Sequence, residues 1–101
     1  MADANGTKQP PTERIHAIVH GFVQGVNYRA YTVREATRLG LVGWVRNRRD
    51  GTVETVVEGS REQLEDFIAF LHIGPPSASV RDVAVTWQEA SGDIDSFVVR
   101  F

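Results

Sequence analysis

The stretch GLVGWVRNRRDGTVETVVEGSREQ, from Gly40 to Gln63, holds a helix end, two strands, the turn between them and the start of another helix. Leu41 to Asn47 is rich in β-branched and aromatic residues and reads as a strand. Arg48-Arg49-Asp50-Gly51 is a hairpin signal, because glycine supplies the positive φ such turns need. Val53 to Glu58 reads as the returning strand, with Val53, Thr55 and Val57 on one face. Ser60-Arg61-Glu62-Gln63 is a capping box, with Ser60 as N-cap and Gln63 reaching back to it. Gly40 is well placed to stop a preceding helix.

Outward from this centre the pattern completes itself. Leu64, Phe67, Ile68 and Leu71 recur at i, i+3, i+4 and i+7, the clearest helical periodicity in the chain. Gly74-Pro75-Pro76 ends that helix. On the other side, Asn27 to Leu39 reads as a helix in which Val33, Ala36 and Leu39 share a face while Arg34, Glu35 and Arg38 stay wet. Before it, Arg14 to His20 reads as a strand, with Ile15, Ala17 and Val19 alternating against His16, Ile18 and His20. Gly21 to Val26 reads as a loop. A fourth strand falls within Val80 to Glu89, where Val83, Val85 and Trp87 alternate. After the turn at Ser91-Gly92-Asp93, Phe97, Val99 and Phe101 alternate on a fifth. The order β-α-β-β-α-β plus a final strand predicts an α+β, ferredoxin-like split β-α-β sandwich. Two helices would cover one face of a mainly antiparallel sheet, with the first and third strands inside.

Composition narrows the function classes. At 101 residues the chain is one domain in length. Residues 1–12, with Asn5-Gly6 and Pro10-Pro11, read as a disordered tail, leaving 13–101 as the domain. The absence of cysteine excludes a disulfide scaffold, a thiolate nucleophile and a Cys-based zinc site. No apolar run approaches the roughly 20 residues that span a bilayer, and the N-terminus lacks a signal-peptide core, so a cytoplasmic protein without membrane partners is expected. A monomer is expected, since a domain with an ordinary core demands no partner. Residues 14–49 carry seven arginines against Glu35 alone, while 50–101 carry three arginines against ten acids. The weakly acidic total argues against nucleic-acid binding, yet the basic half leaves room for a small anion.

Two places carry chemistry. Gly21-Phe22-Val23-Gln24-Gly25-Val26-Asn27-Tyr28-Arg29 joins a strand to a helix N-terminus, where unpaired amides and the positive end of the helix dipole favour an anion. Arg29 in the first turn opposes that dipole, and a bound phosphate would resolve the conflict. A glycine turn with a solvent-exposed arginine is the bland alternative. Asn47 closes a strand just before the hairpin. It is either a strand-end turn contact or an amide that orients a water. His16 and His20 share a strand face but stand roughly 13 Å apart, too far to share a metal. His72 lies near a helix end, so no metal site is expected. Ser60 is explained as a cap and Asp50 by its turn. Trp44 and Trp87 are expected to pack against helices, because the acidic third strand lacks the aromatics of an RNA-binding sheet.

Both places coincide with the signatures of one family. Val19-His20-Gly21-Phe22-Val23-Gln24-Gly25-Val26-Asn27-Tyr28-Arg29 resembles the first acylphosphatase motif, with Tyr28 where Phe or Met is usual. Gly43-Trp44-Val45-Arg46-Asn47, followed by Gly51, Val53 and Gly59, resembles the second. The resemblance covers residues 14–101. It implies hydrolysis of the carboxyl–phosphate bond of an acyl phosphate to a carboxylate and inorganic phosphate, with no metal and no cofactor. It further implies that Arg29 binds the phosphoryl group, that Asn47 positions the attacking water, and that the backbone of Gln24, Gly25, Val26, Asn27, Tyr28 and Arg29 cradles phosphate. A regulatory ligand-binding domain of the same fold and a phosphate-binding module without turnover are the rival readings, since fold alone does not settle function.

Overall fold

Ile15, Ala17 and Val19 are fully buried along one side of β1 (Glu13–Phe22), as their alternation predicts. Val53, Thr55 and Val57 do the same on β3 (Val53–Gly59). These strands pair antiparallel with Ile15 opposite Val57 and Val19 opposite Val53, so one apolar face is continuous across the middle of the sheet. The computed structural model describes residues 11–101. The remaining elements are α1 (Tyr28–Arg38), β2 (Val42–Asn47), α2 (Arg61–Ile73), β4 (Ser79–Glu89) and β5 (Phe97–Val99). The strand order is β4-β1-β3-β2-β5, antiparallel except that β5 runs parallel to β2. This is the expected α+β ferredoxin-like architecture, with both helices packed on the face that carries Ile15 and Val57.

The two helices seat themselves differently. In α2 the reciprocal cap is present: the Gln63 amide donates to Ser60 Oγ at 3.2 Å and the Ser60 amide donates to Gln63 Oε1 at 3.1 Å. Leu64, Phe67 and Leu71 form its buried face. In α1 the fully buried stripe is Tyr28, Thr32 and Ala36, with the expected Val33 and Leu39 packed only in part. Thr32 tolerates the interior because its hydroxyl donates to the Tyr28 carbonyl at 2.7 Å, which leaves its methyl to pack.

Gly43 explains how β2 meets β3. It holds φ at +150°, and a β-carbon there would run into the Val56 carbonyl and stand 2.9 Å from Val57 Cα. A glycine lets the two backbones approach, and Asn47 follows four residues on, at the strand end.

Several elements depart from the sequence reading. Gly21 and Phe22 belong to β1, opposite Val80 and Ser79 after a register shift, so the loop starts at Val23. β5 ends at Val99, opposite Val45. The Arg100 amide still donates to the Val45 carbonyl at 2.8 Å, but Phe101 stands free of the sheet and exposed. Trp87 packs on the helical side as expected. Trp44 does not. It sits opposite Val56 on the open face, with Arg100 and Arg46 guanidinium carbons 4.7 and 5.5 Å from its ring centroid. Of the expected tail, residues 1–10 lie outside the described residues, while the Thr12 amide donates to the Gly59 carbonyl at 3.3 Å.

Candidate active site

The loop between β1 and α1 is fixed at three points. Val23 and Val26 are buried in the core, and the Gln24 side chain donates to the carbonyls of Arg48 and Thr52 at 2.7 and 2.8 Å. Gln24 therefore ties the loop to the β2–β3 hairpin through its side chain. Beside these anchors Gly25 and Asn27 are exposed, with φ of 75° and 66°. Glycine adopts that conformation freely and asparagine is among the few side chains that tolerate it. The result is a turn that points backbone outward.

α1 then begins without a cap of its own. Asn27 makes no side-chain cap bond and the first turn holds no acid. Tyr31 donates to the Asn27 carbonyl at 3.1 Å, the helix's opening bond, so the amides of Tyr28, Arg29 and Ala30 precede the ladder. Unpaired amides at the positive end of a helix, with no protein anion supplied, make an anion-ready surface.

Tyr28 locks this end of the helix. Its phenol donates to the Leu71 carbonyl at 2.7 Å in the interior. Four residues beyond Leu71 stands Pro75, which has no N–H, so the helical partner that carbonyl would otherwise take does not exist. Burial also pushes the Tyr28 phenol above its ordinary pKa, so it stays a donor.

Gly25, Asn27, Tyr28, Arg29 and Asn47 line one cavity of about 390 Å³, together with Val23, Ala30, Val99 and Phe101. Arg29 is half-buried, and its guanidinium carbon lies 5.3 Å from the Phe101 ring centroid. Asn47 borders the same cavity, and its Oδ1 is buried without a hydrogen-bond partner among the described residues. Buried amide oxygens are nearly always satisfied, so this one marks a place where a further donor belongs. The side chains of Gln24 and Val26 face the protein, so only their backbone could reach a ligand. Among the described residues no group of three or more His, Asp or Glu side chains could hold a metal.

The comparisons with known proteins decide the kinship. The family model described as acylphosphatase matches residues 15–99. The chain belongs to the acylphosphatase family. It is 50% identical over 88 residues to an acylphosphatase of Trichormus variabilis, covering 87% of each chain. It is 51% identical over 79 residues to an acylphosphatase of Thermococcus kodakarensis, covering 78% of this chain and 87% of that one. The crystal structure of acylphosphatase from Bacillus subtilis superposes with a TM-score of 0.86 at 35% identity, covering 88% of this chain and 99% of that one. The chain is thus an enzyme of the acylphosphatase family, and its kinship supports hydrolysis of acyl phosphates.

Val99, Phe101 and Ala30 escaped the sequence reading as site residues. The alternation of Phe97, Val99 and Phe101 is legible in the sequence; Phe97 and Val99 pack on the helical side, while Phe101 lies past the end of β5. Nothing in the sequence says that β5 would lie beside β2 and so bring its end to Asn47.

Proposed function

We propose that the cavity between the loop, the start of α1 and the end of β2 binds the phosphoryl group of an acyl phosphate and directs a water onto it. Backbone amides from Gln24 to Arg29 and the forked guanidinium of Arg29 hold the phosphoryl oxygens. The Asn47 amide holds the water in line with the P–O bond that breaks. Water oxygen bonds to phosphorus, the carboxylate leaves with the electron pair of the broken bond, and the water's proton passes to a phosphoryl oxygen. A carboxylate is a good leaving group, so the reaction needs neither a strong general acid nor a Lewis acid. Positioning and charge stabilisation carry phosphoryl transfer in any case.

The observation that carries this reading is the unpartnered, buried Asn47 Oδ1 beside the cavity that Arg29 and Gly25 line. A water donating to that oxygen satisfies it and leaves a lone pair free for attack. The test separates the two roles through competitive inhibition by inorganic phosphate. Arg29→Ala should weaken phosphate inhibition by at least about tenfold, the loss of a charge-assisted bond. Asn47→Ala should leave phosphate inhibition within about twofold and lower kcat. Loss of phosphate binding in Asn47→Ala with normal turnover at saturation would reverse the assignment.

A further inference from the structure

Several arginines of this fold are held by carboxylates. Arg14 contacts Glu58 at 2.7 Å, Arg46 contacts Glu54 at 2.7 Å and Arg61 contacts Glu13 at 2.7 Å. Arg29 differs. Among the described residues no carboxylate or hydrogen-bond acceptor is bonded to it, and its guanidinium stands over the ring of Phe101. Phe101 is fully exposed, so core packing does not hold its ring. Phe101 borders the cavity at Arg29 and also a neighbouring groove lined by Arg46, Arg48 and Arg49, and Asn47 borders both.

Resting on the proposed role of Arg29, we infer that Phe101 is a positioning residue that orients the Arg29 guanidinium for phosphate through its ring face. The chemistry favours a ring over an acid here. A carboxylate would take the forked N–H edge that phosphate needs and would cancel the charge. An aromatic face attracts the guanidinium from above, leaves all five N–H donors free in their plane, and keeps the positive charge. The ring face repels an anion, so its contribution to phosphate binding runs through Arg29 rather than through the ligand.

The distinguishing variants are Phe101→Leu, which keeps an apolar side chain and loses the aromatic face, and Phe101→Trp, which keeps the face. The readouts are inhibition by inorganic phosphate, KM and kcat with acetyl phosphate, whose small acyl group gives the ring little to touch, and the melting temperature. Phe101→Leu should weaken phosphate inhibition and raise KM about two- to fivefold, the range an exposed cation–π contact supports. Phe101→Trp should restore both, and the melting temperature should hold in each, because the ring is exposed. Unchanged phosphate inhibition in Phe101→Leu, or equal weakening in Phe101→Leu and Phe101→Trp, overturns the inference. Arg29→Ala measured alongside separates the two readings: if it binds phosphate like the wild type, the role of Arg29 fails, whatever Phe101 does.

Discussion

Tyr28→Phe removes one oxygen atom and nothing else, at a position where the family's usual residues lack that oxygen. The Tyr28 hydroxyl donates to the Leu71 carbonyl at 2.7 Å, and both residues are buried. That carbonyl lies in the last turn of α2, and its i+4 neighbour is Pro75, so no backbone amide can replace the phenol. Water cannot readily replace it either, since Tyr28 is 1% exposed and Leu71 0%. The variant therefore leaves a buried acceptor unsatisfied, which costs about 1–3 kcal/mol. For a domain of this size a change near 2 kcal/mol lowers the melting temperature by roughly 8–16 °C. Urea unfolding followed by the fluorescence of Trp44 and Trp87 measures this directly. The account predicts a lower midpoint with an unchanged slope, because the surface exposed on unfolding is the same. A loss below about 0.5 kcal/mol, the range of neutral surface changes, would refute the claim that the phenol supplies the donor Pro75 lacks.

Three further outcomes follow from named contacts. Glu58 is buried on the open sheet face, where burial disfavours its charge but the amides of Ser91 and Gly92, the Ser91 hydroxyl and Arg14 together hold its pKa below the usual carboxylate value. A depressed folded pKa stabilises at pH above the unfolded value and is lost as pH falls through the folded one, so Glu58→Gln should cost about 1.5–3 kcal/mol at pH 7 and flatten the acid limb of a stability–pH curve. Gly43→Ala should cost about 3 kcal/mol or more in urea unfolding, since its β-carbon meets the Val56 carbonyl at a φ that disfavours side chains. Arg29→Lys should lower kcat/KM for acetyl phosphate by at least about tenfold, because an ammonium cannot make the forked contact; near-native activity would count against the fork.

The fold was legible where local signals agree with one another. The capping box at Ser60, the Leu64–Leu71 periodicity, the hairpin at Asp50-Gly51 and the alternation in β1 each specify an element without long-range information. What escaped depends on contacts distant in sequence. Pro75 announces a missing donor, but only the packing of α1 on α2 shows that Tyr28 supplies it. Trp44 reads as a core residue by type, yet pairing β2 with β3 through Gly43 turns it to the open face among arginines. For the site, Arg29 and Asn47 were found by their motifs and share a cavity, while Phe101 was assigned to a strand that ends before reaching it.

The most direct test of the account is steady-state hydrolysis of benzoyl phosphate by the purified chain with a chelator present, alongside Asn47→Ala. A water positioned by Asn47 onto an Arg29-held phosphoryl group predicts chelator-resistant turnover, with kcat falling roughly 10²–10³-fold in the variant, the scale set by removing one preorganised polar group from an active site. Wild-type kcat in a folded Asn47→Ala variant, or turnover abolished by the chelator and restored by a divalent metal, would contradict it.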